Sequence, residues 1–298
     1  MCVQKIFPEK LKAGDGVRVV APARSLGIIS KEVREIADKR FEDMGLRLSF
    51  SKNVEEMDDA RSSSIESRVE DLHDAFADNS VKMVIAVIGG FNSNQLLPYL
   101  DYDLIRANPK IFCGYSDITA LNNAIYAKTG IATYSGPHYS TFGQKKYFDY
   151  TLEYFKKCLF TDDPFEIEAP EYWSNDAWYA DQENRNLIEN DGYWIVNEGK
   201  ASGTIIGGNL CTLNLLQGTE FMPSLENSIL FLEDDGTTNR VMFDRDLESL
   251  TQLPGFSGVK GIVIGRFEQK SEVSREDVVA IIKNKKALDN MPVIANTD

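Results

Sequence analysis

The sequence of 298 residues has little histidine and a deficit of positive charge. Its two histidines are His73 and His138, so a mechanism that needs a histidine base must use one of them or a residue outside this sequence. It holds 32 Lys and Arg against 46 Asp and Glu, a formal net charge of −14. That balance argues against a nucleic-acid polymer or an anionic membrane as the main partner, because both are bound by basic patches.

Cysteine and long apolar runs are also scarce. The four cysteines, Cys2, Cys113, Cys158 and Cys211, form no Cys-x-x-Cys pair, so neither a zinc site nor a disulfide framework is expected. No apolar run approaches the roughly 18 residues of a membrane span. The first residues lack the cationic start and apolar core of a secretory signal. We therefore expect a cytoplasmic protein without metal or cofactor.

Strands and helices alternate over the first half of the chain. Apolar segments at 16–21, 83–88 and 111–113 predict strands. The run at 83–88 is continuously apolar, which is typical of a strand covered on both faces in a parallel sheet. Ser30 is a candidate N-cap for a following helix, and Ser63 with Glu66 matches a capping box for the next one. The pattern predicts an α/β layer with right-handed crossovers.

The pattern changes in the middle of the chain. All three tryptophans, Trp173, Trp178 and Trp194, lie in residues 161–198, which show little periodicity. Loops of this length are usually functional or disordered. Strand patterns resume at 229–232 and 261–264, followed by a helix predicted at 274–288. We predict an N-terminal α/β domain over 1–145, a linker with a Trp-rich loop over 146–200, and a smaller C-terminal α/β domain over 201–298.

The clearest candidate for chemistry is Ser116. It follows a strand, Gly114 and Tyr115, and it precedes a helix. This order is typical of a nucleophile elbow, a tight turn that exposes a serine hydroxyl beside helix N-terminal amides. The second glycine of the Gly-x-Ser-x-Gly pattern is replaced by Ile118. The alternative is that Ser116 or Asp117 only caps the helix.

Other polar features also follow predicted strands. Gly89-Gly90 would let a ligand approach the backbone, although a plain loop pair has the same sequence. Glu233, with Asp234 and Asp235, suits an acid, a base-orienting residue or a bland acidic loop. Residues 207–209 (Gly-Gly-Asn) suggest a glycine turn that opens a helix, without a nucleotide-binding spacing. His73 is interpreted as a boundary residue of its helix, and the local sequence leaves the role of His138 open.

The ordered set of motifs resembles the LD-carboxypeptidase family of serine peptidases over nearly the whole chain. The motifs lie at 10–22, 88–90, 109–119, 135–137, 207–210, 230–234 and 244–245. Within the family, residues 171–199 and 217–223 resemble the branch of the microcin C immunity protein. That branch cleaves the amide between an aminoacyl or peptidyl group and a nucleotide phosphate or sulfamoyl group. The resemblance implies two α/β halves with the active site between them, and a homodimer.

The resemblance also implies roles for individual residues. Ser116 would be the nucleophile and Glu233 the triad acid, and the backbone N–H groups of Gly90 and Asp117 would form the oxyanion hole. For substrate binding it points to Trp178 as an aromatic platform and Asn209 as a polar contact. The reaction would be acyl transfer through an acyl-enzyme.

One expected element of the family pattern is missing. The catalytic histidine normally follows a Pro-x-x-x-Asn strand in a short Gly-His segment, and this sequence ends at Asp298 just before that point. We therefore expect a C-terminally truncated chain with impaired activity, and treat His138 as a less favoured substitute base. Two alternatives stay open: a murein tetrapeptide LD-carboxypeptidase of cell-wall recycling, and an inactive protein that binds or sequesters its ligand.

Overall fold

The computed structural model describes residues 4–298, so Cys2 lies outside the described residues. The chain divides into two compact units. Unit 1 runs to Ile167 and takes up Ala177–Arg185, whereas unit 2 comprises Glu168–Asp176 and Asn186–Asp298. The Trp-rich segment therefore contributes residues to both units.

Unit 1 is an α/β layer. Its elements in chain order are β1 (Gly16–Val20), α1 (Lys31–Asp43), β2 (Arg47–Phe50), α2 (Ile65–Ala77), β3 (Val81–Ala86), α3 (Tyr102–Ala107), β4 (Ile111–Cys113), α4 (Thr119–Thr129) and α5 (Asp149–Phe160). The four strands pair in parallel in the order β2-β1-β3-β4. The parallel sheet predicted for the N-terminal half is confirmed, and five of the six residues of β3 are buried, as its continuous apolarity requires.

Helix boundaries in unit 1 follow from short-range hydrogen bonds. Ser30 caps α1, since its hydroxyl accepts from the Val33 N–H at 3.3 Å. The predicted Ser63–Glu66 capping box is wrong: Ser64 is the N-cap of α2 and accepts from the Ser67 N–H at 3.0 Å. Consecutive serines offer the same cap chemistry, and the extended backbone at Ser64 selects it.

Unit 2 carries a separate sheet. Its elements in chain order are β5 (Tyr172–Trp173), β6 (Ile188–Glu189), β7 (Trp194–Asn197), β8 (Thr204–Asn209), α6 (Leu210–Asn214), β9 (Ser228–Glu233), α7 (Arg240–Thr251), β10 (Val259–Gly265), α8 (Arg275–Lys283) and β11 (Val293–Thr297). The main sheet has the order β7-β11-β10-β9-β8, with β7 antiparallel to β11 and the other pairs parallel. Strands β5 and β6 form an antiparallel pair.

Two local predictions for unit 2 need correction. Gly207 and Gly208 lie inside β8 and do not form a turn. A Cβ atom on Gly207 would lie 1.9 Å from the Phe231 carbonyl oxygen, so glycine is needed there for close approach of two strands. The helix predicted over 274–288 ends as α8 at Lys283, followed by a separate 3₁₀ turn at Lys286–Leu288. Within residues 4–298, none of the helices has the length and apolarity to span a bilayer.

The strand order of unit 1 indicates a ligand site at the carboxyl edge of its sheet. The chain leaves β1 towards β2 and then returns across β1 to β3, so the order reverses between β1 and β3. In open parallel sheets, ligands bind beside the carboxyl ends of strands at such a switch point. The segments that follow β1, β3 and β4 all meet at this edge.

Candidate active site

Ser116 occupies a strained turn at the carboxyl edge of unit 1. Its backbone φ is +58°, in the left-handed region that a residue other than glycine rarely adopts. Ser116 begins a 3₁₀ turn, Ser116–Ile118, which continues directly into α4. The strand-to-helix turn predicted from the sequence is therefore present, with the strain of about 1–3 kcal/mol that functional sites often hold.

The turn closes without the second glycine of the usual elbow pattern. A Cβ atom on Gly114 would lie 2.9 Å from Ile118 Cγ2 and 3.1 Å from Ala86 Cβ. Ile118 is fully buried against this gap, and Asn122 Nδ2 donates to the Gly114 carbonyl at 2.8 Å. The missing side chain of Gly114 thus leaves space for Ile118, and Ile118 packs there in place of the second glycine of the usual pattern.

Gly89 and Gly90 lie against the same turn. A Cβ atom on Gly89 would lie 3.0 Å from Ser116 Cβ and 3.1 Å from its Oγ, so a side chain there would crowd the hydroxyl. A Cβ atom on Gly90 would lie 2.9 Å from Ala23 Cβ. Gly89 therefore brings bare backbone to Ser116, whereas Gly90 lies against the segment after β1.

A buried network holds the loop after β3 in place. The Asp117 carboxylate accepts from the backbone N–H groups of Asn92 at 3.0 Å and Ser93 at 2.9 Å, and Ser93 Oγ donates to the Asp117 carbonyl at 2.6 Å. Arg68, only 3% exposed, donates to the carbonyls of Pro22 and Asn92. Burial raises the pKa of Asp117, opposed by these hydrogen bonds and by the charge of Arg68. Arg68 was not predicted from the sequence, because its partners are distant in the chain.

His138 lies beneath the turn and is engaged with its backbone. Its Nε2 atom is 3.1 Å from the Tyr115 nitrogen and 3.0 Å from the Tyr115 oxygen, and its ring stacks on the Tyr115 ring with centroids 4.1 Å apart. Burial lowers the pKa of His138 to about 3. His138 is therefore neutral near pH 7 and supports the backbone before Ser116.

His73 has an equally structural position. The Asp101 backbone N–H donates to His73 Nε2 at 2.9 Å, which ties α2 to the start of α3. This agrees with its interpretation as a boundary residue of a helix. Within residues 4–298, neither histidine forms a hydrogen bond with the Ser116 hydroxyl.

Unit 2 places the carboxylates at the carboxyl end of β9. Glu233 is the last residue of that strand, and its Oε1 is buried without a hydrogen-bond partner in the described part of the chain. Burial, and then the charges of Asp234 and Asp235, raise the pKa of Glu233 to about 8, opposed by a hydrogen bond from Asn209. Such a shift is typical of functional carboxylates.

Asn209 is a helix cap next to these carboxylates. Its Oδ1 accepts from the Thr212 N–H at 3.1 Å and from Thr212 Oγ1 at 2.8 Å, and its Nδ2 donates to Asp234 Oδ1 at 3.3 Å. Burial raises the pKa of Asp234 to about 6. Within residues 4–298, no three histidine, cysteine or carboxylate side chains come together as a metal site would require.

The three tryptophans of the central segment have different surroundings. Trp178, in the part of the segment that belongs to unit 1, is half-buried and meets the Tyr179 ring edge-on with centroids 6.0 Å apart. Trp173 and Trp194 belong to unit 2, where they line a cavity of about 440 Å³, and the Arg266 guanidinium lies 4.8 Å from the Trp173 ring centroid.

Comparison with known proteins identifies the family. A model of the LD-carboxypeptidase N-terminal domain matches residues 17–136, and a model of the LD-carboxypeptidase C-terminal domain matches residues 202–298. YocD of Bacillus subtilis, named as a carboxypeptidase, is 55% identical over 98% of this chain and 90% of the relative. A second Bacillus subtilis protein, named as a murein peptide carboxypeptidase, is 31% identical over 92% of this chain and 79% of the relative.

Similar solved structures agree with this family assignment. An MccF-like protein from Bacillus anthracis is 54% identical, with a TM-score of 0.97 over 98% of this chain and 90% of that protein. The microcin C7 self-immunity protein MccF in complex with aspartyl sulfamoyl adenosine is 31% identical, with a TM-score of 0.88 over 98% of this chain and 90% of that protein. The chain therefore belongs to the LD-carboxypeptidase family, and the proteins similar to it include the microcin C7 self-immunity protein.

Proposed function

We propose that the protein is a serine hydrolase that cleaves an amide bond through an acyl-enzyme on Ser116. The observation that carries the proposal is the left-handed backbone of Ser116 with the bare backbone of Gly89 against its hydroxyl. A plain helix cap needs neither feature, because cap residues normally have extended backbone. Strain at a serine beside glycines is instead what an exposed nucleophile requires.

The oxyanion hole would be formed by backbone N–H groups. Asp117 lies in the first turn of the helical segment that begins at Ser116, where N–H groups lack intrahelical acceptors. Gly90 follows Gly89, which contacts Ser116. The two N–H groups would stabilise the charge that develops on the carbonyl oxygen, an effect worth about 3–4 kcal/mol for each donor.

Glu233 would orient and stabilise the general base. Its buried Oε1, which accepts no hydrogen bond from residues 4–298, would accept one from the imidazole N–H of that base. The base implied by the resemblance is the histidine of a Gly-His segment, and the 298 residues contain only His73 and His138. We propose that this histidine takes the proton of Ser116.

The substrate class would be aminoacyl or peptidyl conjugates of a nucleotide, as part of self-immunity or detoxification. The support is the likeness to MccF, whose solved complexes include aspartyl sulfamoyl adenosine. Trp178 would be the aromatic platform for the base of the nucleotide. Asn209, which lies beside the Asp234 carboxylate, would be a polar contact for the substrate. We also propose that the protein is cytoplasmic and forms a homodimer. Size-exclusion chromatography with light scattering would test the dimer.

In the reaction, the Ser116 oxygen forms a bond to the acyl carbon and the amide C–N bond breaks. The base transfers the serine proton to the leaving nitrogen. Water then attacks the acyl-enzyme, releasing the acid and restoring the Ser116 hydroxyl. With aspartyl sulfamoyl adenosine, the products would be aspartate and sulfamoyl adenosine.

A murein carboxypeptidase is the second candidate, supported by the murein peptide carboxypeptidase among the relatives. Product analysis by mass spectrometry of aspartyl sulfamoyl adenosine beside a murein tetrapeptide separates the two. The assay should use this chain, the chain extended by a Gly-His segment of a relative, and Ser116→Ala. Cleavage of the tetrapeptide alone would contradict the substrate class. Tight binding without product, even in the extended chain, would favour a sequestering protein.

A further inference from the structure

Arg24 lies on the same glycine pair that contacts Ser116. It follows β1, and its backbone N–H donates to the Gly89 carbonyl at 3.4 Å. A Cβ atom on Gly90 would lie 3.3 Å from Arg24 Cγ. A Cβ atom on Gly89 would meet Ser116 and one on Gly90 would meet Arg24, so the two glycines lie beside both side chains. Arg24 therefore flanks the proposed reaction centre.

Among residues 4–298, the Arg24 guanidinium has an aromatic neighbour and forms no ion pair with a carboxylate. It lies over the Phe91 ring, 5.3 Å from the centroid, and Phe91 is 75% exposed. In the part of the chain that the structure describes, no carboxylate forms an ion pair with Arg24, whereas Arg18 pairs with Asp78 at 2.9 Å.

We propose that Arg24 is a specificity-determining residue that binds an anionic oxygen group of the substrate beside the scissile carbonyl. Arginine presents a planar fork of donors that matches the oxygens of carboxylate, phosphoryl or sulfamoyl groups. The Phe91 ring supports that fork from one side and offers an apolar surface to the substrate. The inference rests on the proposed function, since it takes Ser116 as the reacting group.

The anionic group has two possible sources in the proposed substrate class. One is the carboxylate of an acidic aminoacyl group, and the other is the phosphoryl or sulfamoyl group of the leaving nucleotide. Calorimetric titrations with aspartyl sulfamoyl adenosine, asparaginyl sulfamoyl adenosine and AMP distinguish them. A murein tetrapeptide, which carries a terminal carboxylate, serves as the fourth ligand and covers the second candidate function.

The variants are Arg24→Met, Arg24→Lys and Phe91→Leu, with Arg47→Met as the matched control. Arg47 is an exposed arginine at the start of β2, at the amino edge of the same sheet. We expect Arg24→Met to weaken binding about 10- to 100-fold, the value of a charge-assisted hydrogen bond. Arg24→Lys should recover part of that loss, since it keeps the charge without the planar fork.

The pattern of losses identifies the group that Arg24 binds. If Arg24→Met loses affinity only for aspartyl sulfamoyl adenosine, Arg24 binds the aminoacyl carboxylate. If it loses affinity for all three adenosine ligands, Arg24 binds the phosphoryl or sulfamoyl group. If it loses affinity only for the tetrapeptide, Arg24 binds the terminal carboxylate of that peptide. If Arg24→Met binds every ligand within twofold of Arg47→Met, the inference on Arg24 is overturned while the substrate class stands. If the unaltered chain binds none of the four, both are overturned.

Discussion

The Nε2 atom of His138 lies 3.1 Å from the backbone nitrogen of Tyr115, the residue that precedes Ser116. This contact connects the segment after residue 137 to the strained turn, and it occupies one of the two ring nitrogens of His138. His138 is 2% exposed, and its other ring nitrogen is buried without a partner among residues 4–298. The histidine thus stabilises the position of the proposed nucleophile.

The pH dependence of stability tests the buried, neutral state of His138. Its pKa is about 3 in the folded protein and about 6.5 in the unfolded chain. Between those values only the unfolded state binds the proton, so the free energy of unfolding falls as the pH falls from 6.5, by up to about 1.4 kcal/mol per pH unit.

We expect the variant His138→Gln to be less stable at pH 7 and to show a flatter loss of stability between pH 6 and pH 4. Urea unfolding at a series of pH values measures both effects, with His73→Gln as the control histidine. If the free energy of unfolding of His138→Gln changes with pH as steeply as that of the unaltered chain, His138 is protonated in the folded protein and not buried in its neutral form.

The left-handed backbone of Ser116 predicts opposite effects on stability and activity. In Ser116→Gly the strain is relieved, so we expect the free energy of unfolding to rise by about 0.5–1 kcal/mol relative to Ser116→Ala. Both variants lack the hydroxyl and should form no acyl-enzyme. Chemical denaturation of the two variants provides the comparison, and a Ser116→Gly protein less stable than Ser116→Ala would argue against strain at this position.

The raised pKa of Glu233 predicts a pH effect of the opposite sign to that of His138. The folded pKa of about 8 exceeds the ordinary value of 4.5, so the protonated form favours folding. The contribution is full below pH 4.5 and is lost as the pH rises towards 8. We expect Glu233→Gln to lose less thermal stability than the unaltered chain between pH 5 and pH 8.

The exposed carboxylate Glu226 provides the matched control for this experiment, as Glu226→Gln. The thermal stability of that variant should change with pH as that of the unaltered chain does. If the thermal stability of Glu233→Gln also changes in this way, burial does not raise the pKa of Glu233. In the chain extended by the Gly-His segment, Glu233→Gln should lower kcat by about 10⁴-fold, as for other triad acids.

The network around Arg68 predicts a change in local dynamics. Arg68→Met removes hydrogen bonds to the carbonyls of Pro22 and Asn92 and the positive charge near Asp117. We expect backbone amides of residues 89–93 to exchange with solvent at least about tenfold faster, corresponding to 1.4 kcal/mol or more of local stability. Hydrogen exchange followed by mass spectrometry measures this.

Arg40→Met is the control for global destabilisation. Arg40 is also partly buried in unit 1 and bonds the Phe142 carbonyl, away from the turn. Equal exchange rates for residues 89–93 in the two variants would mean that Arg68 does not hold this loop. Arg68→Lys should give an intermediate rate, because an ammonium group reaches fewer of the same carbonyl groups.

Some of the fold and site could be predicted because the signals are local. Ser30 lies three residues from the N–H that it caps, and the order of strand, glycine and serine before α4 is contained in six residues. Local signals were ambiguous where neighbours share the same chemistry, as at Ser63 and Ser64. The strand position of Gly207 depends on its approach to Phe231, 24 residues away in sequence, and no local pattern encodes it.

The supporting residues of the site could not be predicted for a related reason. Arg24, Arg68 and His138 reach the turn at Ser116 only because the strand order brings the ends of β1, β3 and β4 together. Each has an ordinary local sequence: a loop arginine, a helical arginine and a histidine after a proline. The exposed Phe91 was likewise missed, although its position directly after Gly90 was a usable signal.

In the proposed mechanism, Ser116 carries the acyl group during turnover. Intact-mass spectrometry of the Gly-His-extended chain, quenched in acid during turnover of aspartyl sulfamoyl adenosine, tests it most directly. We predict a covalent aspartyl adduct that maps to the peptide containing Ser116 and is absent in Ser116→Ala. Product formation by Ser116→Ala at the rate of the unaltered enzyme, or an adduct on another residue, would contradict it.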